Sequence, residues 1–339
     1  MKAILALALL LSLSGCSKYN GDKLFDKYQQ RLARVLELDA GAEPLPAVTL
    51  LPAERDLKQP LPDLRLDMFD AYSTRRCGLD LLVGERNSSL GKVYTASKQL
   101  SYELRFLHQL QLCLQQEWQN TALLSELQQI YQQKQQSIGI AFQNMLLTDN
   151  TLRKELLGIR QTLPLHDVAG ISETRQALTS LVQLQQMIEQ QDWQAAQSID
   201  IEQQLQQFYK FNFLSQLQFS LRSSSHHLQQ INLLLQPVTP EQLCLKKADR
   251  QQLDILTNLF QKFFIGEVQQ YTVNLQNYQQ QLWPLLSQLY RDTELHPALQ
   301  KRFDGSYQQM QDQLSEHVKW WQTLNARCPL QLTTAAQKT

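Results

Sequence analysis

No proline interrupts the chain from Asp63 to Leu163, and that run limits what it can fold into more than any other feature. Proline removes a backbone donor and clashes inside a helix, so its absence over such a length leaves long helices open. Gly and Pro number only 11 each in 339 residues, and Leu, Gln, Ala, Lys and Glu, all helix-favouring, dominate. Apolar spacing predicts helices over 63–76, 88–116 and 121–159, the last with a stripe of Leu127, Tyr131, Ile138, Phe142 and Met145. Beyond them, 172–190 reads as one helix and 193–235 as a long one interrupted near Asp200. Within it Phe213, Leu217, Leu221, Ser224, Leu228, Ile231 and Leu235 step by threes and fours. The cleanest pattern lies in 248–282, where Phe264, Val268, Tyr271, Leu275, Tyr278 and Leu282 recur at heptad spacing. Pro284 is expected to kink or end that helix, and a last helix is predicted over 296–326. Strand alternation persists nowhere. The expected class is all-α, a bundle of long antiparallel helices whose heptad seam packs within the chain, so no oligomer is required.

Two segments qualify this picture. Residues 24–37 set Phe25, Tyr28, Leu32 and Val35 on one helical face, which is expected to pack on the body. Residues 39–62 carry Pro44, Pro46, Pro52, Pro60 and Pro62, which forbid helix and extend the residues before them. Leu45, Val48, Leu50, Leu51, Leu57 and Leu61 make this Pro-rich strap apolar, so it should lie across the helices. The 32 basic and 32 acidic residues balance, and no basic field exists to hold a nucleic-acid backbone.

Five cysteines are present: Cys16, Cys77, Cys113, Cys244 and Cys328. The last four allow three pairings. Sequence order favours Cys77–Cys113 and Cys244–Cys328. A helix from Ser88 to Cys113 is about 37 Å long, and residues 77–88 reach at most about 40 Å when extended. The first bond therefore closes only if the segment with Gly78, Gly84 and Gly91 runs straight back along the helix, or if the helix breaks near Gly91. The second follows from a helical hairpin folded about Pro284.

The segment between Cys77 and Cys113 has the most uneven composition in the chain. Glu85, Arg86, Asn87 and Ser88 precede a helix that carries Tyr102, Glu103 and Arg105. Glu85 or Glu103 could serve as the general acid of a peptidoglycan hydrolase. The favoured reading is structural: Ser88 or Ser89 caps the helix, and Glu85 and Arg86 pair with Arg105 and Glu103. Ser89-Leu90-Gly91-Lys92 matches a Ser-x-x-Lys motif, but Ser-Asp-Asn and Lys-Thr-Gly are absent. The six histidines form no metal-binding spacing, so no metal or cofactor is expected.

Residues 1–16 join a single Lys2 to an apolar run too short to span a bilayer, as in a secretory leader. The ending Leu13-Ser14-Gly15-Cys16 resembles the bacterial lipobox. That resemblance implies cleavage before Cys16, acylation of Cys16 and, with Ser17 next, an outer-membrane anchor facing the periplasm. Removing the leader leaves 31 basic against 32 acidic residues, a net of −1. In that oxidising compartment the other four cysteines should pair. The segments Cys77-Gly78-Leu79, Leu82 to Val93, Ser97 and Leu100 to Leu107 resemble the bacterial lipoprotein family catalogued as domain of unknown function 3080. The resemblance implies an envelope lipoprotein without assigned activity or catalytic residues. The expected organisation is a signal peptide at 1–15, a lipidated tether at 16–23, one helical domain at 24–330 and a loose tail at 331–339. The expected role is non-enzymatic: an adaptor bound to the membrane through its lipid and to an envelope protein partner. The alternatives are the hydrolase and a carrier of a lipid or other hydrophobic ligand.

Overall fold

The computed structural model describes residues 20–41, 43–62, 68–245, 250–328 and 330. The leader, Cys16 and the tail 331–339 lie outside the described residues, as does the start of the helix predicted from Asp63. Among the described residues there is no strand; a single antiparallel bridge joins Asn20 to Pro164. The all-α expectation holds.

Helix α1 (Gly21–Leu36) begins where the Asn20 side chain accepts the Lys23 N–H, at 3.2 Å. It starts inside the segment expected as tether. Its face of Leu24, Phe25, Tyr28 and Leu32 is buried, so it packs on the body. The strap follows, extended except for a turn of helix α2 (Glu54–Leu57). Leu51 and Leu57 are buried, but Leu50 is 83% exposed and Val48 38%. The strap crosses the helices as expected, though its apolar side chains do only part of the docking. Side chains from the body catch its backbone as well. Arg302 Nη2 donates to Thr49 O (2.6 Å) and Arg153 Nη2 to Pro52 O (2.6 Å). Asn144 bonds both the N–H and the carbonyl of Gln59, at 2.8 Å each.

Next come α3 (Met68–Ser73), a 3₁₀ turn Thr74–Cys77, α4 (Leu79–Asn87), a 3₁₀ turn Gly91–Val93 and α5 (Ala96–Leu114). The single helix predicted from Ser88 is therefore corrected: it starts at Ala96, capped by Thr95, and the glycine-bearing segment is itself helical. The break falls at Gly91, where a Cβ would stand 2.3 Å from Glu85 O and 2.5 Å from Arg86 O. Only glycine permits so close a return of the chain.

Helix α6 (Thr121–Thr148) pairs with α5, and Asp149 then stops it by capping α7 (Asn150–Leu157) with its own carboxylate. Helix α8 (Ile171–Glu189) matches its predicted span. The long helix read from 193 to 235 is three: α9 (Trp193–Ser198), α10 (Ile201–Phe211) and α11 (Phe213–Leu235). Asp200 caps α10, and Asn212 at φ 49° breaks the chain before α11. The stepped residues of α11 are all buried. This helix is the hub of the bundle. Its serines, Ser215, Ser220, Ser223 and Ser224, are small enough for neighbours to approach on several sides.

After α12 (Pro240–Leu245) the heptad region runs through α13 (Arg250–Leu259), a π-helical stretch Phe260–Gln269 and α14 (Gln270–Tyr290). Phe264, Val268, Tyr271, Leu275 and Leu282 are buried, and α14 packs on α8 and α11, so the seam is intramolecular. Pro284 neither ends the helix nor marks the hairpin turn: α14 runs on to Tyr290, and the chain reverses over 291–295. Helix α15 (His296–Gln300), a π-helical Lys301–Gly305 and α16 (Ser306–Arg327) return along α11. Both favoured disulfides form, with Cα separations of 5.3 Å for Cys77–Cys113 and 5.7 Å for Cys244–Cys328.

Candidate functional site

The Cys77–Cys113 lobe has its own small core at the tips of α5 and α6. Leu79, Tyr102, Phe106, Leu110, Leu123 and Leu127 pack around the disulfide, apart from the main core. Helix α4 closes this lobe, which brings Glu85 over α5. There Arg105 grips the Glu85 carboxylate with both guanidinium arms, at 2.6 and 2.9 Å, and the Tyr94 hydroxyl donates to it at 2.6 Å. The hydrogen bonds from Arg105 outweigh the partial burial and hold Glu85 below the usual carboxylate range. Arg86 turns back to the Gly91 carbonyl, and Ser88 Oγ accepts the Gly91 N–H at 3.0 Å. Ser88 thus caps the Gly91 turn, while Thr95 caps the long helix. Asn87 and Ser89 are exposed and join no cluster.

Glu103 faces the other way. It is 7% exposed and meets Lys134, 8% exposed, at 2.5 Å, with the Gln99 amide donating to its other oxygen. The expected pairing of Arg86 with Glu103 is replaced by this buried pair from α6. Lys134 Nζ also stands 5.1 Å from the Phe106 ring centroid. Tyr102 is buried beside them, and burial, with the Glu103 charge, raises its hydroxyl pKa. Of the seven polar residues singled out in the sequence, Glu85 and Arg105 form one clasp, and Glu103 and Tyr102 belong to the lobe core. Each carboxylate already has a cation in place. A general acid needs a raised pKa and an open approach, and Glu85 has the opposite shift.

A buried network escaped the sequence reading. His317 in α16 has no exposure. Asn232 gives its amide N–H to the Gln313 carbonyl, so its oxygen faces His317 Nδ1 at 3.1 Å, which makes Nδ1 the donor. Nε2 then accepts from the Tyr28 hydroxyl (2.8 Å) and the Trp321 indole (3.0 Å). Burial pushes the His317 pKa down to about 3, and the ring stays neutral. The network ties α1, α11 and α16 together. Nothing local marks His317, which the sequence presents as one polar residue among many.

A groove of about 1000 Å³ opens between the end of α1, the Pro237 turn and α13. Val35, Leu243, Ile255 and Leu259 line it, and Arg31, Arg34 and Lys262 stand along it. Arg31 lies 4.5 Å and Lys262 5.7 Å from the centroid of the Phe263 ring, which is also a wall. No group of His, Cys, Asp and Glu among the described residues could hold a metal, and no described helix is long and apolar enough to cross a membrane.

The family described as "Protein of unknown function (DUF3080)" matches residues 25–332. No curated protein and no solved structure matches the chain.

Proposed function

The chain belongs to the DUF3080 family, and we propose that it is a non-enzymatic adaptor, lipid-anchored through Cys16 to the outer membrane and facing the periplasm. Its partner is an acidic, amphipathic helix that lies in the groove between α1 and α13. The groove carries this reading. Val35, Leu243, Ile255 and Leu259 give its largely polar lining an apolar patch that suits the buried stripe of a helix, and Arg31, Arg34 and Lys262, against the single acid Glu37, suit acidic residues along the edge of that stripe. Gln251 and Asn258 also line it, which favours a peptide over an acyl chain. The four cysteines beyond Cys16 pair as an oxidising compartment requires. The hydrolase reading loses support because Glu85 and Glu103 are both committed to cations.

Cross-linking in intact envelopes followed by pull-down tests the reading. The expected result is one specific partner that is lost from Ile255→Glu, whose side chain is 45% exposed in the groove. Recovery of nothing beyond abundant porins, or of the same proteins by Ile255→Glu, overturns it. A lipid co-purifying with the wild type and absent from Ile255→Glu would establish the carrier instead.

A further inference from the structure

A second polar site lies beside the start of α1, outside the Cys77–Cys113 lobe. The loop after α7 is pinned to α11: Ile159 N donates to Ser215 Oγ (2.7 Å) and Leu163 N to Ser220 Oγ (2.8 Å). Its far end joins the first described residues, with Gly21 N on Leu163 O at 3.3 Å and Asn20 bridged to Pro164. Three arginines lie on this loop and on the elements packed against it. Arg302, 8% exposed, donates from Nη1 to Leu156 O at 2.6 Å. The Gln218 amide reaches the same carbonyl at 3.1 Å. Arg222 stands one helical turn beyond Gln218 on α11, half-buried, and its Nη1 is buried without a hydrogen-bond partner. Arg160 projects from the loop itself and is exposed.

None of the three forms an ion pair with a described carboxylate. Two acids border the loop: Asp22 accepts the Ser223 hydroxyl at 2.5 Å, and Glu155 accepts the Ser215 N–H at 3.2 Å through one oxygen while its other oxygen is buried without a hydrogen bond. Burial, then the charges of Arg302 and Arg160, push the Arg222 pKa down. Two further like charges beside a buried, unpaired guanidinium nitrogen are costly unless an anion joins them. Phosphate oxygens match guanidinium forks in charge and geometry.

We propose that Arg160, Arg222 and Arg302 form a binding site for a phosphate group. Two sources share that chemistry, a phospholipid headgroup and a free phosphate. The headgroup is in reach if Cys16 is acylated, because the four residues to Asn20 span at most about 14 Å. That clause alone rests on the lipid anchor proposed above; phosphate binding itself does not.

The test uses the full-length protein in a sugar-based, phosphate-free detergent. Thermal melting is followed while inorganic phosphate, or dihexanoyl phosphatidylglycerol below its micellar concentration, replaces chloride at constant ionic strength. The expected result is a saturable rise in Tm, with the apparent Kd weakened about tenfold in Arg160→Gln, an exposed change that spares the fold. Arg222→Gln should abolish the response; if it lowers the basal Tm, Arg160→Gln still decides. Stabilisation by both probes assigns the headgroup, and stabilisation by inorganic phosphate alone assigns a free phosphate. No saturable rise with either, or an equal rise in Arg160→Gln, overturns the site. Neither outcome bears on the groove partner, and a phosphate response with no acyl chain on Cys16 would remove the anchor while leaving the site.

Discussion

Glu155 is 1% exposed, and one of its two oxygens is buried without a hydrogen bond. Burial pushes its pKa up to about 7, against the pull of the Ser215 and Leu214 N–H groups at the start of α11. A folded pKa above the unfolded one means the native state holds a proton that the unfolded state has lost. The stability due to this group is therefore full below pH 4.5 and lost as pH rises through 7. Denaturant unfolding should give a free energy that falls between pH 5 and pH 8 by up to roughly 3 kcal/mol. Glu155→Gln should flatten that slope; an unchanged slope in the variant would assign it to another group. The sequence around this residue, Leu152-Arg153-Lys154-Glu155, reads as an ordinary charged helix face. Its burial comes from α11 landing on it, a contact sixty residues away. His317 was hidden for the same reason. Glu85 and Arg105 were legible because a compact, uneven segment held both partners.

At the scale of elements, periodicity reported which residues face the core and said little about where helices break. Every stepped residue of α11 and nearly every heptad position of the π-helical stretch Phe260–Gln269 and of α14 is buried. The interruption expected near Asp200 forms, with Asp200 capping α10, but the breaks at Asp149 and Asn212 depend on a cap and on one left-handed residue, signals that a single Asp or Asn carries only in context. The distance constraint on Cys77–Cys113 was more informative, since it required either a straight return or a break near Gly91, and the break is what forms. This bond closes a loop of 36 residues, for which restricting the unfolded chain contributes on the order of 4 kcal/mol. The lobe has its own core, so the loss should stay local. In Cys77→Ser/Cys113→Ser, hydrogen exchange should quicken over 79–113 while Phe264 to Leu282 keep their protection. Uniform loss of protection would mean that lobe and bundle unfold as one unit.

For the whole molecule, the strap shows how an extended segment is held against a helical body. Its prolines announced an extended segment, and its leucines suggested apolar docking. What they could not announce is which side chains would catch its carbonyls, because those come from five distant places. Gln29 reaches Gly41 O, His226 reaches Glu43 O, Arg302 reaches Thr49 O, Arg153 reaches Pro52 O, and Asn144 holds Gln59. Extended backbone has no internal partners, so donors from the body replace the water it would otherwise bind. Each bond contributes about 1 kcal/mol net, and Asn144 makes two. Asn144→Ala should therefore cost about 2 kcal/mol, and local opening should rise more than tenfold if the strap opens as a unit. Trypsin reports that opening, since Arg55 and Lys58 are exposed and cleavage needs the chain to leave the surface. The expected result is faster cleavage at these two sites in Asn144→Ala, with cleavage elsewhere unchanged. Leu57→Ala supplies the contrast, because Leu57 is the strap's most buried apolar anchor. If Leu57→Ala opens the strap and Asn144→Ala leaves the rate as in the wild type, burial alone holds it, and the captured carbonyls only accompany a docking already made.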